Sequence, residues 1–302
     1  MTEPYDADIA HAADVLRAGG LVAFPTETVY GLGADASNPR ALARLYEVKR
    51  RPKDHPVIVH LARAEQLDDV ARDIPDVART LASKYWPGPL TLLVARREDA
   101  IAAEATGGRA TVGVRVPDHP LARALLTAFG GPVAAPSANR FGKVSPTTAA
   151  HVRADLGADV DVILDGGASA VGVESTIVDV TCTPPLIVRV GGIGADELAL
   201  ARATDGAIPA PGTLPSHYAP NARVEVVDKA DLEARTAQLR ATGKTIVPLA
   251  APDDPAEYAR VLYARLRAAD VPGVDVIVAV APADDGGIGS AVLDRLRRAA
   301  AG

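Results

Sequence analysis

The chain has 302 residues, 48% of them hydrophobic but only 4% aromatic, and a formal net charge of -6. The length suits two domains whose cores rest on Ala, Val, Leu and Ile. The acidic balance argues against a protein whose whole surface grips nucleic acid, though not against a local basic site for a phosphate ligand.

The N-terminus, MTEPYDADIAHAAD, is acidic and lacks an apolar core, so it does not read as a signal peptide. Residues 8–18 have helical spacing and stop at Gly19-Gly20. Leu21 to Phe24 reads as a buried strand, and Asn38-Pro39 opens the next helix with a cap and a first-turn proline. Val57 to Leu61, Leu90 to Ala95 and Thr111 to Val116 read as strands, with helices over 75–84 and 119–129. Pro132 to Ala135 is a short strand, and Ser145-Pro146 reads as the start of the helix that follows. Val162 to Leu164, Ser175 to Val180 and Leu186 to Val190 are further strands with no helix between the later ones. That order predicts a mixed, twisted open sheet with helices rather than a purely parallel one.

Cys182, the only cysteine, lies in the turn-like run Thr181–Pro185 and reads as structural. With no second cysteine there is no internal disulfide, which suits a reducing compartment. No apolar run is long enough to span a bilayer, so a soluble cytoplasmic protein without a membrane partner is expected. Residues 203–221, rich in Pro and Gly and without apolar period, read as a linker. Strands at Val224–Val227, Thr245–Leu249 and Val274–Val280 then alternate with helices near 229–241, 254–268 and 290–300. This predicts a small Rossmann-like parallel α/β domain. The expected division is 1–202, linker 203–221, and 222–302.

The densest cluster of polar residues is Phe24–Ala36, FPTETVYGLGADA, where a buried strand ends at a proline and Thr26, Glu27, Thr28 and Tyr30 follow. Loops at strand ends are where α/β folds hold ligands. The run from Gly31 to Ala36 formally fits a dinucleotide fingerprint, but its first glycine sits too far past the strand for the tight turn that motif requires. Lys49-Arg50-Arg51-Pro52-Lys53 reads either as a solvated basic turn or as cations fixed at a strand edge for a polyphosphate. His60 ends the following strand. Arg115 stands in an apolar strand and needs a partner, either a core carboxylate or a ligand's. Residues 134–147, with Ser137, Asn139, Lys143 and Ser145, read as a phosphate loop or an ordinary capping loop. Walker A, H-E-x-x-H, paired-cysteine and G-x-S-x-G patterns are all absent, so no resident metal is expected.

Taken together, these stretches resemble the YrdC-like threonylcarbamoyl-AMP synthases. The matching elements are FPTETVYGLGADA, K-x-R-P at 49–52, PVIVH at 56–60, WPGPLTLL at 86–93, VGVRVP at 112–117, PSAN at 136–139, VESTIVDV at 173–180 and RVGGI at 189–193. Each is weak alone; their order across residues 8–200 is specific. The motif at 211–220 and the ending GIGSAVLDRLRRA resemble the long, two-domain form. The resemblance implies a nucleotidyltransferase that joins L-threonine, bicarbonate and ATP, with Mg²⁺ arriving with ATP. The product, L-threonylcarbamoyl-adenylate, would serve modification of the tRNA adenosine beside the anticodon. Partner proteins would carry out the later transfer, and direct tRNA binding stays open. The family's K-x-R and S-x-N pattern falls on Lys49, Arg51, Ser137 and Asn139 as catalytic residues. ATP contacts are implied for Arg51, His55, Thr111, Ser137, Ser145 and Arg189, with Tyr218 closing over the nucleotide. Threonine contacts are implied for Thr28, His60, Arg115, Ala135 (through its backbone) and Ser175. The rival readings are an RNA-binding module without catalysis and a carbamoyl-transfer domain of the hydrogenase-maturation kind. This chain carries neither the acylphosphatase-like nor the zinc-finger segments of the latter.

Overall fold

The computed structural model describes residues 6–204, 208, 210–214, 216–284 and 286–302. In chain order its elements are α1 (Asp6–Arg17), β1 (Val22–Phe24), β2 (Gly31–Asp35), α2 (Pro39–Lys49), β3 (Ile58–His60), α3 (Leu67–Val70), β4 (Ala71–Arg72), α4 (Asp76–Tyr85), β5 (Leu90–Arg96), β6 (Thr111–Arg115), α5 (Pro120–Phe129), β7 (Val133–Ala134), α6 (Ala149–Leu156), β8 (Val162–Ile163), β9 (Thr176–Asp179) and β10 (Leu186–Arg189). After these come α7 (Ala195–Leu198), β11 (Arg223–Val227), α8 (Leu232–Arg240), β12 (Ile246–Leu249), α9 (Pro255–Ala269), β13 (Val276–Val280) and α10 (Ile288–Ala300).

The first sheet runs β10-β9-β5-β6-β3-β7-β2-β1-β8, with β4 added beside β5. It is mixed: β1–β8, β3–β6 and β5–β9 are parallel and the other pairs antiparallel. The second sheet, β11-β13-β12, is wholly parallel. Among the described residues no helix is long and apolar enough to cross a membrane.

Local chemistry sets the boundaries. The Asn38 side chain accepts from the amides of Arg40 and Ala41, and Pro39 supplies the first turn of α2. Gly19, with φ of 82°, lets the chain leave α1 in the left-handed conformation that ordinary residues avoid. Two expectations differ from the structure. Residues 31–35 form β2 and not a loop. The helix after Ser145-Pro146 begins only at Ala149, capped by Thr148, whose hydroxyl accepts from the His151 amide. Ser145 is free of that task because its hydroxyl is turned to Glu174.

Successive side chains of a strand point to opposite faces. Val57, Val59, Leu92, Val94, Val112, Val114 and Val178 belong to the large core, which also takes in Tyr263, Leu266 and Leu296 from α9 and α10. Ile58, Leu93 and Ile177 face the other way, into a small cluster with Ala210. The same alternation puts His60, Arg115 and Ser175 on that second face, beneath the segment that joins the two sheets.

Candidate active site

A cleft opens on this second face. All five residues expected to contact threonine line it: Thr28, His60, Arg115, Ala135 and Ser175. Of the expected nucleotide contacts, Arg51, Ser137, Arg189 and Tyr218 line it as well. Two loops meet there because the backbone pairs them. The Leu32 amide donates to the Pro136 carbonyl, the Ala138 amide to Tyr30, and the Tyr30 amide to Pro146.

Of the two partners its sequence context left open, Arg115 has the core carboxylate. It forms a buried ion pair with Glu27, and Nη1 donates to the Thr28 hydroxyl at 2.9 Å. Glu27 also accepts from the Asp118 amide at 3.0 Å, so the carboxylate is itself held. The Nε of Arg115 is buried and has no hydrogen-bond partner. The guanidinium is therefore fixed on one side and free on the other, which suits a ligand carboxylate. Beside it, Nδ1 of His60 is also buried without a partner. Burial, then the charge of Arg115, brings the His60 pKa down to about 3, so the ring is neutral at neutral pH.

Arg51, also in the lining, donates to the carbonyls of His55 (3.2 Å) and Pro56 (2.7 Å) and lies 5.2 Å from the Phe141 ring centroid. Burial lowers its pKa to about 10, which leaves it charged. Arg189 donates to the Ser175 carbonyl (2.7 Å), the Ser175 hydroxyl (3.2 Å) and the Pro211 carbonyl (2.6 Å). Two guanidinium groups thus face one small space, an arrangement that calls for an anion.

Five expected site residues lie outside the lining: Lys49, His55, Thr111, Asn139 and Ser145. Lys49 is only 1% exposed, and its Nζ donates to the carbonyls of Ser137 and Asn139. Through these bonds it braces the second loop. Burial, then Arg51, pushes its pKa well below the usual lysine range. The amide nitrogen of Asn139 donates to the carbonyls of Arg140 (2.7 Å) and Lys143 (2.8 Å), which also makes it a loop brace. His55 packs edge-on against Phe141, and Thr111 begins β6 opposite Ala95. Ser145 is wholly buried and donates to Glu174 at 2.7 Å.

The connecting segment covers the cleft. Pro211, Gly212, His217 and Tyr218 all line it. Tyr218 has φ of 62°, a conformation that costs a bulky residue energy and marks functional sites more often than ordinary turns. Its hydroxyl is buried without a partner, as is Nδ1 of His217. A Cβ at Gly212 would collide with that hydroxyl, so only glycine fits there. Burial holds the His217 pKa at about 3.

Sequence reasoning placed Glu27 in the polar cluster without giving it a role, and it missed Glu174 and His217 as site residues. Each lies inside a quoted motif, and each carboxylate interrupts an otherwise apolar or hydroxyl-rich run. Among the described residues no group of three or more His, Cys, Asp or Glu is placed to hold a metal ion. The cleft carboxylate Glu174 is engaged by Arg295, and Glu27, behind Arg115, by that arginine.

The chain matches two family profiles. One, described as telomere recombination (Sua5, YciO and YrdC), covers residues 14–191. The other, the C-terminal domain of threonylcarbamoyl-AMP synthase, covers 181–301. The threonylcarbamoyl-AMP synthase of Pyrococcus abyssi is 41% identical over 95% of this chain and 92% of its own length. That of Bacillus subtilis is 38% identical over 98% and 94%. The crystal structure of P. abyssi Sua5 complexed with L-threonine superposes with a TM-score of 0.94 at 40% identity, covering 98% of this chain and 94% of that one.

Proposed function

The chain belongs to the threonylcarbamoyl-AMP synthase family, and we propose that it joins L-threonine, bicarbonate and ATP into L-threonylcarbamoyl-adenylate and pyrophosphate. The observation that carries this reading is the set of three arginines in one cleft. Arg115, whose buried Nε has no hydrogen-bond partner, lines it together with Arg51 and Arg189. A carboxylate at Arg115 and phosphates at Arg51 and Arg189 would bring an amine and an α-phosphate into the same space.

In this mechanism the threonine amine and bicarbonate form a carbamate with loss of water, and a carbamate oxygen attacks the α-phosphate while pyrophosphate leaves. No covalent enzyme intermediate is needed, so catalysis is positioning and charge stabilisation. Arg115 holds the threonine carboxylate, and neutral His60 and the Thr28 and Ser175 hydroxyls offer hydrogen bonds around it. Arg51 and Arg189 face the phosphates, with Ser137 at the loop that Lys49 and Asn139 brace. Tyr218 closes the nucleotide side. Mg²⁺ belongs to the nucleotide substrate, where phosphates and water supply its ligands.

The product would serve threonylcarbamoylation of the tRNA adenosine beside the anticodon, in the cytoplasm, with transfer left to partner proteins. We retain the division into a catalytic part (1–202), a linker (203–221) and a C-terminal part (222–302). Pyrophosphate release that requires threonine and bicarbonate together tests the proposal. Release that is indifferent to either one would reject it.

A further inference from the structure

We propose that Arg295 is the positioning residue through which the C-terminal part holds Tyr218 down over the cleft, with Glu174 as its anchor on the cleft wall. Arg295 belongs to α10 and is 0% exposed. Its Nε donates to Glu174 at 2.8 Å, Nη1 to Asp294 at 2.5 Å, and Nη2 to the Val190 carbonyl at 3.1 Å. Its guanidinium carbon lies 5.2 Å from the centroid of the Tyr218 ring. On another side Tyr263 of α9 stacks on Tyr218, centroids 5.6 Å apart, and its hydroxyl also donates to Glu174, at 2.9 Å. Tyr218 is thus held by two residues of the C-terminal part, and both grip the carboxylate of Glu174, just before β9.

Buried charge on this scale is an uncommon way to join two sheets. Replacing such a pair by apolar residues of similar volume is often neutral or stabilising, so stability alone does not account for it. Function does. Glu174 lines the cleft and receives the Ser145 hydroxyl, while Arg295 neutralises it beside a space that Arg51 and Arg189 prepare for an anion. The planar guanidinium can form forked hydrogen bonds with its edge while its face covers an aromatic ring. Arg295 does both, which couples the wall of the cleft to the residue that covers it. Backbone bonds from His217 to Arg298 and from Ala219 to Gly142 fix the chain on either side of Tyr218, but its hydroxyl has no hydrogen bond, so the ring itself is set by contacts with Arg295, Tyr263 and His217.

The test uses the full chain without nucleotide, so it is independent of the proposed reaction. Tyr218 is buried, and chymotrypsin can cut after it only when the segment opens. Arg295→Met alone would strand a buried carboxylate, so the double variant Glu174→Gln, Arg295→Met removes both charges and spares the fold. Arg295→Lys keeps the charge opposite Glu174, but a compact ammonium cannot also cover the ring. We expect both variants to melt near the wild-type temperature and to be cleaved after Tyr218 about tenfold faster, read by mass of the 1–218 fragment. Under the proposed reaction their KM for ATP rises by a similar factor while the KM for threonine stays unchanged. Cleavage after Tyr218 within about twofold of wild type in whichever variant folds would overturn the proposal, whatever the ATP result. If the wild-type protein fails to use ATP yet the cleavage difference holds, the reaction is wrong and the positioning role stands.

Discussion

Lys49 donates its side-chain nitrogen to the backbone carbonyl of Asn139, from a position beneath the loop and not from the cleft. The same nitrogen reaches the Ser137 carbonyl. A residue that resembles a phosphate-binding cation in sequence therefore acts as a brace for the loop that carries Ser137.

Lys49→Ala should accordingly lower both stability and turnover. It orphans two buried carbonyls, each worth about 1–3 kcal/mol. We expect a melting temperature lower by several degrees and pyrophosphate release reduced at least about a hundredfold. Arg51→Ala should cost as much in turnover while the protein stays folded by circular dichroism, because Arg51 faces the cleft. Near-normal release in either variant would contradict the brace at Lys49 or the phosphate contact at Arg51.

The pair of Arg115 and Glu27 predicts a separation of stability from binding. Removing one member of a buried ion pair costs about 3–5 kcal/mol because the other is left uncompensated. Arg115→Met should therefore melt early, and adding Glu27→Gln should restore much of the loss. The double variant should still require about a hundredfold more threonine for half-maximal rate, since the carboxylate partner is gone. Threonine titration by calorimetry, alongside melting curves, checks both halves.

Much of this was legible in the sequence, for physical reasons that can be traced. Apolar runs located β3, β5, β6 and β9, and the Asn38 cap and the first-turn Pro120 located their helices. β2 escaped because Gly31-Leu32-Gly33 lacks the β-branched residues that mark strands. Its glycines are there for packing: a Cβ on Gly33 would come within 2.9 Å of the Phe24 ring. Ser145-Pro146 looks like a helix start, and nothing local shows that its hydroxyl is claimed by Glu174 from a distant part of the chain. The cleft residues Thr28, His60, Arg115 and Ser175 could be named from motifs. Their shared face could not, because it depends on which strands pair. His217 could have been named too, since it shares the motif of Tyr218.

Stability should fall as the solution is acidified through the histidine range. His60 and His217 are held neutral, each with a folded pKa of about 3 against an ordinary value of 6.5. Between those limits the unfolded chain binds more protons, so stability decreases as pH drops from 6.5 toward 3. The slope is about 1.4 kcal/mol per pH unit for each histidine. Below 4.5 Glu174 adds to the loss. Burial raises its pKa, but Arg295 and Arg189 together with hydrogen bonds outweigh that and bring it to about 2. Melting curves between about pH 7 and pH 5 should show the decline, and His60→Gln should flatten part of it.

The carbon of bicarbonate offers the sharpest test of the proposed reaction. Purified protein is given ATP, Mg²⁺, L-threonine and heavy-isotope bicarbonate, and the adenylate product is read by mass spectrometry beside pyrophosphate. Labelled threonylcarbamoyl-adenylate should form in amounts matching the pyrophosphate, and neither product should form when threonine is omitted. Pyrophosphate without the labelled adenylate, or RNA binding with no nucleotide turnover at all, would contradict the proposed synthase activity.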